Sequence, residues 1–166
     1  MPETSVWRGT PSQWLNFGRY LLAFVLAVIV IALFVVAQGR EPTWIRNFSP
    51  YILLFLVLPI FMAAAAYLQT KNKIYDLTTE RLKTSEGVFS RVTDTLELYR
   101  VKDLETRQPF FGRLVGIENI RINTSDASTP LVFISAIPSR VGLADKIRNQ
   151  VETIRGQKGV RELDIE

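Results

Sequence analysis

The chain has 166 residues, 48% of them hydrophobic and 22% charged, which is close to the average composition of globular proteins. The charges are unevenly distributed: residues 71–166 carry 30 of the 36 charged side chains, whereas residues 20–39 and 47–70 carry none. Histidine and cysteine are absent, which excludes cysteine nucleophiles, disulfides, Ser-His-Asp triads and metal sites built from these two residues. We therefore expect a membrane segment followed by a small soluble domain that is not an enzyme.

Two apolar runs, residues 20–37 and 50–68, are long enough to cross a bilayer. A helix of about 18 residues covers about 27 Å, close to the thickness of a hydrocarbon core. Buried helices of a soluble protein are the alternative, but the remaining residues are too few to enclose two wholly apolar helices. A cleaved signal peptide would have a shorter apolar core, of about 7–15 residues. The sequence therefore predicts a transmembrane hairpin over residues 20–70, after a cytoplasmic N-terminal segment of residues 1–19.

The basic residues predict the orientation of this hairpin. The connection between the two runs, residues 38–49, contains Arg40 and Arg46. Because Lys and Arg favour cytoplasmic loops, the larger number on the other side predicts that both termini are cytoplasmic. The six residues on that side are Arg8, Arg19, Lys71, Lys73, Arg81 and Lys83. Residues expected to contact the membrane surface are Trp7, Trp14, Lys71 and Lys73.

Two features inside the apolar runs have structural consequences. Pro59 lacks a backbone N–H, so a kink is predicted there. Small residues allow a second helix to approach closely, and we expect them to pack on a partner or on a second copy, with hydrophobic filler as the alternative. These residues are Ala23, Ala27, Ala63, Ala64, Ala65 and Ala66.

Residues 71–166 alternate between short apolar strands and turns. Strand patterns cover residues 74–77, 81–84, 88–95, 117–123 and 131–137, with two more around Leu98 and from Leu104. Apolar residues then recur at helical spacing at Leu143, Ile147, Val151 and Ile154, before Gly156. The sequence predicts an α+β domain in which one helix covers the open end of a bent, seven-stranded antiparallel sheet.

Segments 75–82, 86–91, 98–104, 108–109 and 113–116 resemble, in order, the bacterial pleckstrin-homology (PH) domain family attached to membrane hairpins. The leader, residues 7–14, is similar to that of the same proteins. The resemblance implies a two-helix transmembrane hairpin in the bacterial inner membrane, followed by a PH-like seven-strand barrel with a C-terminal capping helix at residues 71–166. It implies no cofactor and no activity.

Lipid recognition is the first function to consider for such a fold. Phosphoinositide sites need several basic side chains that converge from the first strand pair. The first turn, at Thr78, Thr79 and Glu80, is short and acidic. We therefore expect loose attraction to anionic headgroups rather than specific binding.

A second basic stretch offers a contact surface for a partner. Aromatic and arginine side chains dominate binding hot spots, whereas the alternative is ordinary surface ion pairs. One of Phe110 and Phe111 is expected in the core. The contact residues predicted for a partner or a lipid are Arg100, Lys102, Arg107, Phe110 and Arg113.

These observations predict a non-enzymatic, membrane-anchored interaction module. Its partner would be another integral membrane protein or a second copy of the chain, with membrane lipids beside it. The alternatives are an accessory or assembly subunit of a larger membrane complex and a sensor of anionic lipid headgroups. Nucleic acid is not expected as a partner, because the charges of residues 71–166 nearly cancel and form no basic stripe.

Overall fold

A computed structural model describes residues 3–39 and 43–158, and its secondary structure within these residues is as follows. The helices are α1 (Phe17–Gln38), α2 (Thr43–Phe48), α3 (Val57–Lys71), α4 (Phe110–Val115) and α5 (Leu143–Lys158). The strands are β1 (Ser5–Gly9), β2 (Ile74–Thr78), β3 (Arg81–Glu86), β4 (Val92–Glu97), β5 (Val101–Arg107), β6 (Ile117–Thr124) and β7 (Leu131–Pro138). Four 3₁₀ segments complete the list: Gln13–Asn16, Ser49–Leu56, Leu98–Arg100 and Ser139–Val141. The chain divides into two compact units, one of Asn16–Gln69 and one of the residues on either side.

The unit that contains the strands has two antiparallel sheets. One has the order β1-β2-β3-β4 and the other the order β5-β6-β7. Within the described ranges 3–39 and 43–158, no strand ladder joins the two sheets, so the closed barrel expected from the sequence is instead a pair of sheets. The predicted α+β class, with two apolar helices and a C-terminal helix, is confirmed.

The first strand comes from the N-terminal segment, where the sequence analysis predicted none. β1 pairs antiparallel with β2, and Trp7 lies opposite Leu77. Residues 71–138 therefore supply six strands rather than seven, and the predicted strand at residues 88–95 begins only at Val92. The apolar helices are thus an insertion between the first two strands of one sheet.

The core of this unit confirms the predicted amphipathic helix. Leu143, Ile147, Val151 and Ile154 are buried with residues of both sheets, such as Leu77. The helix does not end at Gly156 as expected, since α5 continues to Lys158. A stripe of four apolar residues on α5 therefore covers the interior between the sheets.

The other unit is an apolar helical hairpin. Its two helical stretches, Gln13–Gln38 and Thr43–Lys71, are long and apolar enough to cross a membrane. The second stretch is irregular, because a 3₁₀ segment over Ser49–Leu56 precedes α3, in which Pro59 is the third residue. A kink was predicted at Pro59, and the irregular segment ends just before this residue, at Leu56. Arg40, used above to predict the orientation, lies outside the described residues.

The small residues of the hairpin are mostly packed already. Ala23 and Ala66 are buried, and the Asn16 side-chain amide donates a hydrogen bond to the Ala66 carbonyl at 3.0 Å. Ala64 is exposed, whereas the remaining small residues are half-buried; these are Ala27, Ala63 and Ala65. Ala23 and Ala66 are therefore already buried within the hairpin, and the packing of a small-residue face on a partner or a second copy stays a prediction.

Trp7 tests the contribution of β1 to the fold. Its indole is half-buried against the core, whereas Val6 on the same strand is exposed. We expect Trp7→Ser to lower the free energy of unfolding by about 1–3 kcal/mol through lost apolar burial, and Val6→Ser to change it by less than about 0.5 kcal/mol. Hydrogen exchange of the β2 amides in the full-length protein measures the effects of both substitutions. Equal protection of β2 in the two variants would show that β1 is not an integral strand.

Candidate interaction surface

The helix α4 is one and a half turns long and is positioned by its two ends. It begins after Pro109 and ends at Gly116, which adopts a left-handed conformation with φ 68°. Between them Gly112 is buried, and a Cβ at this position would lie 3.0 Å from the Ile117 carbonyl oxygen. Gly112 is therefore the residue through which α4 approaches the start of β6.

Three large apolar side chains of α4 are exposed to solvent. Phe110 is 71%, Phe111 is 76% and Leu114 is 70% exposed. The two phenylalanine rings contact each other edge to face, with centroids 5.5 Å apart. The sequence-based expectation that one of them lies in the core is therefore wrong. We call these three side chains, together with Arg107 and Arg113, the α4 surface.

The charges around the α4 surface are positive. Residues 106–117 contain Arg107 and Arg113 and no acidic residue. Arg107 Nε donates a hydrogen bond to Glu105 Oε1 at 2.5 Å, but the Arg107 side chain remains 67% exposed. The arrangement is an apolar centre with two arginines beside it, which is the composition of a contact surface rather than of a reaction centre.

Arg100 does not belong to this surface. Its guanidinium pairs with Asp126 at 2.9 Å and also donates to the Tyr99 hydroxyl at 3.1 Å. The hydrogen bond to Tyr99 and the nearby Asp126 carboxylate raise the pKa of Arg100 above its ordinary value. The hydrogen bonds from Ser128, helped by Arg100, lower the pKa of Asp126. Arg100 therefore links the β4–β5 connection to the β6–β7 loop.

Lys102 also lies away from α4. The register of β5 against β6 shifts between Val101 and Asp103, so Lys102 is the extra residue of a bulge. It lines a shallow cleft of about 180 Å³ with residues of β5 and α5. Since five residues of extended strand span about 17 Å, Lys102 and Arg107 occupy opposite ends of β5.

The residues expected at a membrane surface differ in their surroundings. Trp7 is partly buried against the core. Trp14 is 53% exposed and Lys71 is the last residue of α3. Lys73 Nζ lies 2.9 Å from Glu86 Oε2 and 5.8 Å from the centroid of the Tyr75 ring. Burial, the largest single effect, lowers the pKa of Lys73, but the interactions with Glu86 and Tyr75 together raise it above its ordinary value.

The turn at Thr78, Thr79 and Glu80, considered above as a phosphoinositide site, connects β2 to β3. It does not belong to the first strand pair, which consists of β1 and β2, because β1 lies before the apolar hairpin in the chain. The basic residues that follow it are paired: Arg81 Nε lies 2.9 Å from Glu97 and Lys83 Nζ lies 3.0 Å from Glu3. The hydrogen bond from Lys83 is the largest cause of the lowered pKa of Glu3. The basic side chains after this turn are therefore held in ion pairs across the sheet.

The described part of the chain contains no group of three or more acidic side chains arranged to hold a metal ion.

A sequence model of the family described as "Bacterial PH domain" matches residues 14–155. No curated protein matches the chain. One similar solved structure is a DUF1696 family protein with a pleckstrin-homology domain from Shewanella loihica PV-4. The two proteins share 13% sequence identity and have a TM-score of 0.41. The match covers 50% of this chain and 74% of the Shewanella chain.

The exposure of α4 predicts that its aromatic residues contribute little to stability. Phe111→Ser should leave the thermal unfolding midpoint of the full-length protein within about 1 °C of wild type, because the ring is already in solvent. Gly112→Val should lower the midpoint by several degrees, because its side chain meets the Ile117 carbonyl. Equal losses in both variants would mean that Phe111 packs in the core.

Proposed function

Because the chain belongs to the bacterial PH domain family, we propose that it is a membrane-anchored, non-enzymatic interaction module in a bacterial inner membrane. In this proposal the α4 surface binds another membrane protein, or a second copy of the chain, at the cytoplasmic face. The observation that carries the proposal is the exposure of Phe110, Phe111 and Leu114 beside two arginines, in a domain whose other large side chains mostly form a core.

The anchoring rests on the two apolar helical stretches and on how they join the sheet. The hairpin lies between β1 and β2, and these strands pair with each other. If the hairpin crosses a bilayer, both of its ends must therefore emerge on the same side, as two antiparallel spans require. This argument is independent of the number of basic residues, which then favours the cytoplasm as that side.

The α4 surface suits a protein partner on chemical grounds. Phenylalanine and arginine are enriched at the centres of protein interfaces and lysine is depleted, and the α4 surface contains Phe110, Phe111, Arg107 and Arg113 without a lysine. Exposed aromatic groups that touch each other offer a preformed apolar anchor, which lowers the entropy lost on binding.

Labelling of single cysteines tests the anchoring, because the natural chain has no cysteine. In intact cells a membrane-impermeant maleimide should label Gly39→Cys, which follows α1, and should label Ala127→Cys in the β6–β7 loop only after lysis. The reverse pattern would overturn the orientation. Identical labelling of both positions before lysis would show that the hairpin does not span the membrane.

Co-purification tests the α4 surface. The full-length protein, extracted in mild detergent, should carry a stoichiometric partner or self-associate. The double variant Phe110→Ser/Phe111→Ser should reduce the recovered amount of this complex at least tenfold. Phe133→Ser is the matched control, because Phe133 is also exposed, at 57%, but lies on β7. An unchanged complex in the double variant would remove α4 from the interface.

A second candidate function, an accessory subunit held through its spans, is favoured by one observation. A wholly apolar cleft of about 570 Å³ opens in the hairpin between α1 and the 3₁₀ segment, with Leu26, Leu33, Phe55 and Pro59 among its lining residues. If Ala64→Leu on exposed α3 abolishes the complex while the α4 double variant keeps it, the spans and not α4 hold the partner.

A further inference from the structure

The connection between β3 and β4 carries a second group of exposed apolar side chains. Phe89 is completely exposed, at 104%, Val92 is 57% and Val88 is 41% exposed. These three side chains form what we call the β3–β4 tip. Phe89 therefore makes no contribution to the core of its domain.

The backbone at the tip requires a glycine. Gly87 has φ 125°, and a Cβ at this position would lie 1.8 Å from the Ser90 carbonyl oxygen. A tight turn of this kind forces the chain to project between Gly87 and Ser90, and Phe89 is at this projection. The geometry of the turn therefore keeps Phe89 exposed.

The base of the tip lies where the chain enters the sheet from the apolar hairpin. α3 ends at Lys71 and β2 begins at Ile74, which is paired with Ser85 on β3. Lys73, between them, forms its ion pair with Glu86, the last residue of β3. The entry point and the base of the tip are therefore held together by one strand pair and one ion pair.

We propose that the β3–β4 tip inserts Phe89 and Val88 into the lipid–water interface of the bilayer that the hairpin crosses. This inference rests on the membrane anchoring proposed above, because the entry point at Lys73 is then at the membrane surface. Phe89 is three residues beyond Glu86, a reach of about 10 Å, and the polar layer of one leaflet is about 5–8 Å thick. This reach is the upper limit for an extended chain, and the turn at Gly87 shortens it to a length comparable with the thickness of that layer.

The bilayer fits this site better than a protein does. Aromatic and aliphatic side chains next to basic ones are the composition of interfacial membrane contacts, and Lys73 and Arg91 flank the tip. Only two residues separate α3 from β2, so the bilayer is always present at a high effective concentration. A weak apolar contact is sufficient under that condition, and it needs no headgroup specificity.

Depth-dependent fluorescence quenching tests the insertion with the full-length protein in nanodiscs. Ser90→Cys, labelled with an environment-sensitive fluorophore, leaves Phe89 intact. We expect lipids that carry a quencher near the headgroup to reduce its emission at least twofold. Ala127→Cys is the control, because the ion pair of Asp126 with Arg100 holds that loop at the far end of the sheet from Lys73. Quenching of Ala127→Cys equal to that of Ser90→Cys would overturn the inference.

Two further variants separate this inference from the anchoring on which it rests. Leu26→Cys, near the middle of α1, should be quenched by lipids with the quencher deep in the acyl chain. Quenching at Leu26 without quenching at Ser90 would overturn the insertion alone, whereas no quenching at Leu26 would overturn the anchoring as well. Phe89→Ser in the Ser90→Cys protein should remove most of the quenching without loss of folding, because Phe89 has no core contacts. Unchanged quenching would show that Phe89 does not insert.

Discussion

The pairing of β1 with β2 is the constraint on which the rest of the structure depends. It closes residues 10–74 into a loop whose ends meet at Gly9 and Tyr75. For a flexible loop of this length the closure entropy would be about 3–4 kcal/mol. An antiparallel hairpin already brings its two ends together, so most of that cost falls on hairpin formation instead. The sheet and the apolar helices therefore favour each other's folding.

The chain leaves the strand-containing unit after Leu15 and returns to it at Thr70. Before Leu15, the Ser12 N–H donates a hydrogen bond to the Ala136 carbonyl at 2.8 Å, a contact within that unit. Ala136 has φ 53°, an uncommon value outside glycine, and the Asn119 side chain accepts a hydrogen bond from its N–H. The residues before the hairpin are therefore held in this unit by a backbone hydrogen bond to β7 as well as by the pairing of β1 with β2.

The sequence predicts elements that contain a periodic apolar pattern within their own residues. It misses elements whose structure depends on a partner far away in the chain. α5 was predicted because four apolar residues repeat at helical spacing and all four are buried. β1 was missed because it is short and has only Trp7 packed on the core, so that its strand conformation comes from β2, about seventy residues away. Arg100 was assigned to a contact surface because its partner, Asp126, is 26 residues away. Propensity and periodicity report on neighbours along the chain, and these contacts are not between neighbours.

The outward position of the aromatic groups was also hidden from the sequence. At α4, the buried residue is Gly112, where a Cβ would lie 3.0 Å from the Ile117 carbonyl oxygen, and Phe110 and Phe111 are exposed to solvent. At the β3–β4 tip, Gly87 plays the equivalent part for Phe89. An exposed phenylalanine contributes no stability through burial, whereas a buried one would contribute about 1.5–3 kcal/mol. The exposed aromatic groups of α4 and of the β3–β4 tip therefore add nothing to the core of the domain.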